Sequence, residues 1–241
     1  WVTGVQTCAL PILVTGMRYM DLVREQIPNL PLQNIIVEPV GKNTAPCIAL
    51  SAFHINRIYE DATIAVLPSD HLIKNEVKFL EVLNSAYEFV NENAQAIVTI
   101  GMKPDRPETG YGYINYGDMN CDLNGNELRE VKSFVEKPDL YKAKQYLKDG
   151  DYLWNGGMFI WKAKNILKLT KKYLSNTYEV LSEIAATRQE DYHKVLKEKY
   201  INVDSISVDF GIMEKAKDIY VIPADFGWDD VGSWEARSEE H

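Results

Sequence analysis

Long apolar runs, cysteine pairs and basic clusters are scarce in this chain, and each scarcity removes a class of function. No stretch approaches the roughly 20 apolar residues that a membrane span requires, and the first residues lack the basic and apolar regions of a signal peptide. Three cysteines, Cys8, Cys47 and Cys121, stand far apart without a CxxC pair. Neither a disulfide framework nor a zinc site is suggested, and a reducing, cytoplasmic setting is expected. Acidic residues outnumber basic ones 35 to 26, a net charge of -9 that repels a polyanionic backbone. Only the face from Lys162 to Lys172 interrupts that trend, so neither nucleic acid nor membrane is an expected partner. Internal repeats, low-complexity tracts and linkers are also missing.

What is present is core material in an alternating order. At 241 residues and 46% hydrophobic content the chain can bury a large α/β domain. Apolar strand candidates fall at Leu13 to Thr15, Asn34 to Val37, Thr63 to Leu67 and Ala96 to Ile100. Helical spacing falls between them, at Tyr19 to Gln26, Thr44 to Tyr59 and Val77 to Asn93, with Asn43 and Thr44 as caps for the second. This βαβα order predicts a mostly parallel mixed sheet covered on both faces, with ligands beyond the strands' carboxyl ends. The second half changes character. Glycine-rich and aromatic strands at Tyr111 to Tyr116, Leu128 to Val135 and Trp154 to Trp161 precede a helical stretch from Lys162 to Lys199, and a last strand follows at Ile219 to Pro223.

Polar groups with chemical capacity collect where these strands stop. In FVEKPD, Glu136 can accept hydroxyls and Lys137 offers a compact charge to a phosphate, although a strand-end ion pair is the simpler reading of those two residues alone. TIAVLPSD ends in Asp70, placed either to hold a magnesium ion or to cap the turn before the next helix. GWDDVGSW offers a partner carboxylate, Asp230, with Asp229 as competitor; adjacent acids are costly to hold together without a cation. In ETGYGYI, Gly110 and Gly112 let backbone amides approach a ligand, or mark a β-bulge. WNGGMFI carries Asn155, an amide that can donate and accept, or a turn residue before two glycines. EPVGKNTAP follows a strand and opens a helix, and its Glu38 carboxylate could accept from guanine or simply belong to a capped loop.

In order, EPVGKNTAP, LPSDH, ETGYGYI, FVEKPD, WNGGMF, VDFGIMEKA and GWDDVGSW resemble the mannose-1-phosphate guanylyltransferases over roughly Leu13 to Glu235. The resemblance implies a Rossmann-like nucleotidyltransferase fold that condenses α-mannose 1-phosphate with GTP, giving GDP-mannose and pyrophosphate with Mg2+. It implies that Asp70 and Asp230 hold the metal, that Glu136 and Asn155 bind mannose hydroxyls, and that Lys137 binds the sugar phosphate. Gly110 and Gly112 would line the sugar site with Asp209 beside them, and Glu38, Pro39, Asn43, Thr44 and Ala45 would border the nucleotide. Lys42 stands where arginine is common in the family, and Gly156 where serine is common.

The two ends depart further. Val2 to Ile12 and Arg237 to His241 resemble translations of one sequencing adapter in opposite orientations. The expectation is a leader at 1–12, a catalytic domain at 13–236 and a tail at 237–241, the family's first strand and glycine-rich loop being replaced by the leader. A homo-oligomeric parent is implied, and alternatives are an inactive fragment with residual sugar-phosphate binding or a pyrophosphorylase for another hexose phosphate or nucleotide.

Overall fold

The computed structural model describes residues 11–231, so most of the expected leader, the whole expected tail and the end of GWDDVGSW lie outside it. The elements run β1 (Leu13–Gly16), α1 (Met20–Gln26), β2 (Ile35–Glu38), α2 (Thr44–Asn56), β3 (Thr63–Val66), β4 (Leu72–Ile73), α3 (Glu76–Glu92) and β5 (Ile97–Met102). Then come β6 (Tyr113–Leu123), β7 (Asn126–Val135), α4 (Leu140–Asp149), β8 (Tyr152–Lys162), α5 (Ala163–Tyr173), α6 (Ser175–Ala186), α7 (Tyr192–Lys199), β9 (Ile219–Ala224) and β10 (Trp228–Asp229). They form two compact units.

The sheet unit spans Thr63–Lys162 and residues 216–231. Its six-stranded sheet has the order β3-β8-β5-β9-β7-β6, with β6 also pairing β8. The sheet is mixed, as expected, but it is mostly antiparallel rather than mostly parallel, with parallel pairing confined to β5 and β9. The cause lies in the second half of the chain. Asn124 and Gly125, both at positive φ, close β6 and β7 into a hairpin, and β8 inserts antiparallel between β3 and β5. On this sheet α3 buries Phe79, Val82, Ala86 and Val90, one stripe at helical spacing, while Phe79 meets Phe226 edge-on at 5.2 Å.

The helical unit holds residues 11–62 and Ala163–Lys215. Here β1 and β2 pair in parallel, and Ala49, Leu50, Leu181, Ile184, Leu196 and Tyr200 form a buried core. The helix expected from Thr44 to Tyr59 is shorter than its apolar spacing suggests. Helix α2 ends at Asn56, and Tyr59 is exposed in the turn that follows.

Two further differences bear on the site. Helix α4 has no counterpart among the expected elements, yet its ends are marked: Asp139 Oδ1 accepts the Lys142 N–H at 2.8 Å, and Gly150 closes it at φ 77°. Strands β4 and β10 are two residues each, too short to leave a periodic signature.

Gly101 sits between two neighbouring strands. A Cβ there would come within 2.7 Å of Leu153 and 2.8 Å of Val221. Gly101→Ala is therefore expected to cost about 1–3 kcal/mol in urea unfolding. An unchanged midpoint would mean that β8 and β9 yield freely.

Candidate active site

Strand register brings three of the sequence motifs to one end of the sheet. Tyr113 on β6 lies opposite Val135 on β7 and opposite Trp154 on β8, so Gly112 adjoins both Glu136 and Asn155. The backbone N–H of Asn155 donates to Gly112 O at 2.8 Å. A Cβ on Gly112 would stand 2.2 Å from Glu136 Oε1 and 3.4 Å from Asn155 Cβ, so any side chain there would push the Glu136 carboxylate out of its place. The half-buried Glu136 carboxylate thus holds its present position because residue 112 has no side chain.

Asn155 is not in a turn. It lies within β8, where pairing with β5 shifts from Thr99↔Phe159 to Gly101↔Asn155. The bulge at Gly156 and Gly157 re-aims the strand, and Asn155 Oδ1 accepts the Gly157 N–H at 3.1 Å. Gly157, at φ 65°, would bring a Cβ within 3.7 Å of Pro68, so the LPSD motif abuts the bulge.

Lys137 is exposed and adopts φ 43°, the left-handed region that a residue before proline rarely enters. Buried Pro138 and the cap made by Asp139 hold the chain immediately after that strain. The motif is therefore a strand end, a strained lysine and a helix cap in immediate succession.

Asp70 and Asp230 reach this region by another route. Strands β4 and β10 pair with Leu72 opposite Asp229, which brings His71 beside Asp230. His71 Nδ1 accepts the Trp228 Nε1–H at 3.0 Å. Burial pulls the imidazole pKa down, and the charges of Asp70, Asp230 and Asp229 oppose that shift. The cap of α3 itself is Asn75, not Asp70. The two neighbouring aspartates have different tasks: Asp229 Oδ1 accepts the Val231 N–H at 2.8 Å, whereas Asp230 Oδ1 accepts from the Tyr111 hydroxyl at 2.8 Å. Burial, followed by that hydrogen bond and the Asp230 charge, raises the Tyr111 pKa and keeps the hydroxyl a donor.

Gly110 differs from its reading as an open amide. Its N–H and that of Thr109 both donate to Glu108 Oε1 at 2.9 Å, while the Arg106 guanidinium lies 3.5 Å from Glu108 and 5.0 Å from the Trp154 ring centroid. The loop before β6 is thus fixed from within. Glu108 and Tyr111 have no reading of their own from the sequence, where the one local signal is a carboxylate two residues before glycine, an arrangement suited to capping a turn.

The other motifs lie in the helical unit. Glu38 ends β2, and Asn43, at φ 71°, caps α2 by accepting the Thr44 N–H at 2.8 Å. Thr44 Oγ1 accepts the Val208 N–H at 2.8 Å, and the Ala45 N–H donates to Ile206 O at 3.1 Å. EPVGKNTAP and VDFGIMEKA are therefore tied together, and Asp209 opens the π-helical turn Asp209–Met213 beside Val208. Asp209 and Glu38 both belong to the helical unit, and Gly112, Glu136 and Asn155 belong to the sheet unit.

Glu38 is held from behind. The hydroxyl of fully buried Tyr200 donates to Glu38 Oε1, and the Cys47 thiol donates to the same carboxylate. Burial raises the Glu38 pKa, with both hydrogen bonds partly offsetting it, and burial beside that charge pushes the Cys47 thiol up to about 12.

Sheet order, helices and polar strand ends define the class: a Rossmann-like α/β fold of nucleotidyl transfer. Residues 5–241 match the family described as Nucleotidyl transferase, and the chain belongs to that family. It is 37% identical over 239 residues to mannose-1-phosphate guanylyltransferase 2 of Escherichia coli O157:H7, covering 95% of this chain and 49% of the relative. A mannose-1-phosphate guanylyltransferase of Escherichia coli K12 is also 37% identical, over 238 residues, with 96% and 49% covered. The chain spans about half the length of these curated relatives. A solved structure from Thermus thermophilus, described as a mannose-1-phosphate geranyltransferase, matches with a TM-score of 0.82 at 30% identity, covering 93% of this chain and 62% of that one.

Enzymes of this family generally use a divalent metal. Two carboxylates, Asp70 and Asp230, are hard oxygen donors suited to such an ion. Among the described residues no group of three or more His, Cys, Asp or Glu could enclose one, and an ion on two carboxylates would take its other oxygens from ligand and water.

Glu38 yields a pH-dependent prediction. Its raised folded pKa means that its contribution to stability is full below the ordinary value of 4.5 and is lost as pH rises through the folded pKa. Tyr200→Phe removes a donor to the ionised carboxylate, so this loss should deepen and extend to higher pH. Urea titrations should show a penalty of about 1–3 kcal/mol at pH 7 that shrinks toward pH 4. A penalty independent of pH would contradict the assignment.

Proposed function

We propose that this chain carries the sugar-phosphate and metal-binding part of a mannose-1-phosphate guanylyltransferase, in which α-mannose 1-phosphate and GTP give GDP-mannose and pyrophosphate. The observation that carries this reading is the convergence of Gly112, Glu136 and Asn155 at one sheet end, with Tyr111 linking that end to Asp230. The relatives' names supply the hexose and the nucleotide.

Glu136 accepts sugar hydroxyls through its carboxylate, and Asn155 can donate to a hydroxyl through its amide, its Oδ1 being engaged by Gly157. Lys137 projects its ammonium from a strained, exposed backbone position and binds the sugar phosphate. The phosphate oxygen is already ionised at neutral pH, so no activated serine or cysteine is required. That oxygen attacks the α-phosphorus of GTP, a new P–O bond forms, and the bond to the β-phosphate breaks in line to release pyrophosphate. Asp70 and Asp230 would hold Mg2+, which when bound neutralises charge developing on the α-phosphate. The residue types from Glu38 to Ala45, together with Pro39, fit a nucleotide-facing segment, with the Glu38 carboxylate as acceptor for the N–H groups of guanine. Asp209 is retained as a sugar-site residue on the motif resemblance alone.

Pyrophosphate release tests the reaction and its specificity. With Mg2+ and mannose 1-phosphate, GTP should support release faster than ATP, CTP or UTP, and mannose 1-phosphate should outcompete glucose 1-phosphate. Release with another nucleotide–hexose pair in preference to this one would replace the reading. The sugar end is tested separately by Gly112→Ala, whose Cβ displaces the Glu136 carboxylate. The expected outcome is a rise of about tenfold to hundredfold in KM for mannose 1-phosphate, with circular dichroism unchanged. An unaltered KM would remove Glu136 from the sugar site.

A further inference from the structure

We infer that Tyr111 is a positioning residue that aims the Asp230 carboxylate. The inference rests on the reading of Asp230 as a metal ligand. Asp230 is poorly placed by its own backbone, because the strand before it is only the two residues of β10 and the residue after it, Val231, is β-branched at φ 50°. From outside this segment the Tyr111 hydroxyl holds the side chain by donating to Oδ1 at 2.8 Å.

Both ends of that hydrogen bond are themselves held. The Tyr111 ring meets Trp154 edge-on at 5.3 Å and 83°, and Trp228 at 5.3 Å and 67°. Trp154 is buried on β8, opposite Tyr113 in the β6–β8 ladder. Trp228 lies two residues before Asp230 and is tethered by its indole N–H to His71. Two tryptophans therefore fix the phenol, and one of them belongs to the short strand that leads directly into the carboxylate it serves.

The neighbouring acid provides an internal contrast. Asp229 Oδ1 is taken by the Val231 N–H, a turn contact, so of two adjacent aspartates only Asp230 receives the tyrosine. A carboxylate oxygen that accepts one hydrogen bond keeps lone pairs for a cation, and such supporting hydrogen bonds typically govern metal affinity by about tenfold to hundredfold. Tyr111 also immediately precedes Gly112, so the loop that makes room for Glu136 sets the aim of Asp230.

The test uses the full chain with Mn2+ alone as probe, free ion being measured by electron paramagnetic resonance, for the parent chain, Tyr111→Phe and Asp230→Asn. Phenylalanine keeps both ring contacts, so the thermal midpoint of Tyr111→Phe should fall by no more than a few degrees. Its Mn2+ affinity should drop about tenfold to hundredfold, and that of Asp230→Asn further. In a parallel assay of pyrophosphate release, Tyr111→Phe should raise the Mg2+ concentration giving half-maximal rate while leaving the KM for mannose 1-phosphate within about twofold. Loss of Mn2+ binding in Asp230→Asn with parent-like affinity in Tyr111→Phe overturns the positioning role and leaves the metal reading intact. Indistinguishable affinities in all three chains overturn both. Weakening of Tyr111→Phe that merely follows loss of its near-ultraviolet circular dichroism also overturns the positioning role.

Discussion

The site in the sheet unit depends on one missing side chain. Glu136 Oε1 stands 2.2 Å from where a Cβ of residue 112 would be, so the carboxylate keeps its present position only while residue 112 is glycine. Because Gly112 precedes the first residue of β6, which pairs both β7 and β8, that vacant volume is also where two strand ends meet. The Asn155 N–H closes on Gly112 O, and the bulge beyond it turns β8 toward Pro68. From Tyr111, one residue earlier, the hydroxyl reaches Asp230. A short backbone segment thus places sugar-binding and metal-binding candidates within one set of contacts.

Such an arrangement carries local costs. A left-handed conformation at Lys137 is disfavoured by about 1–3 kcal/mol, and proline immediately after it narrows the alternatives further. The Asp139 cap on α4 offsets about 1 kcal/mol of this, and burial of Pro138 contributes more. Strain at an exposed lysine flanked by well-anchored residues is consistent with a side chain positioned for a ligand rather than for the fold.

Much of this is legible in the sequence, for identifiable reasons. Strands β1, β2, β3 and β5 and helices α2 and α3 fall close to their expected positions because apolar period and caps agree in each. The strand-end location of Glu136, Lys137 and Asp70 follows from where the apolar runs stop. Sheet direction differs from the expectation, since nothing local in β8 says that it inserts between β3 and β5. Helix α4 is marked by Asp139 and Gly150 and carries Leu140, Ala143, Tyr146 and Leu147 at helical spacing, but it is short and mostly polar, with Ala143 its one buried residue. The partners of the site are the least accessible. Tyr200 lies 162 residues from Glu38, and Tyr111 lies 119 from Asp230, separations at which no periodicity or spacing rule operates. Glycines 110 and 112 look alike in sequence, yet Glu108 occupies the amide of the first while the second makes room for Glu136.

The central claim is that the sheet end built around Gly112 receives the sugar of a nucleotide sugar. A crystal structure of the chain with GDP-mannose tests it most directly. The account predicts mannose hydroxyls within hydrogen-bond distance of the Glu136 carboxylate and the Asn155 amide, with the pyrophosphate near Lys137. Mannose bound away from β6, β7 and β8, with Glu136 and Asn155 facing only protein, would contradict it.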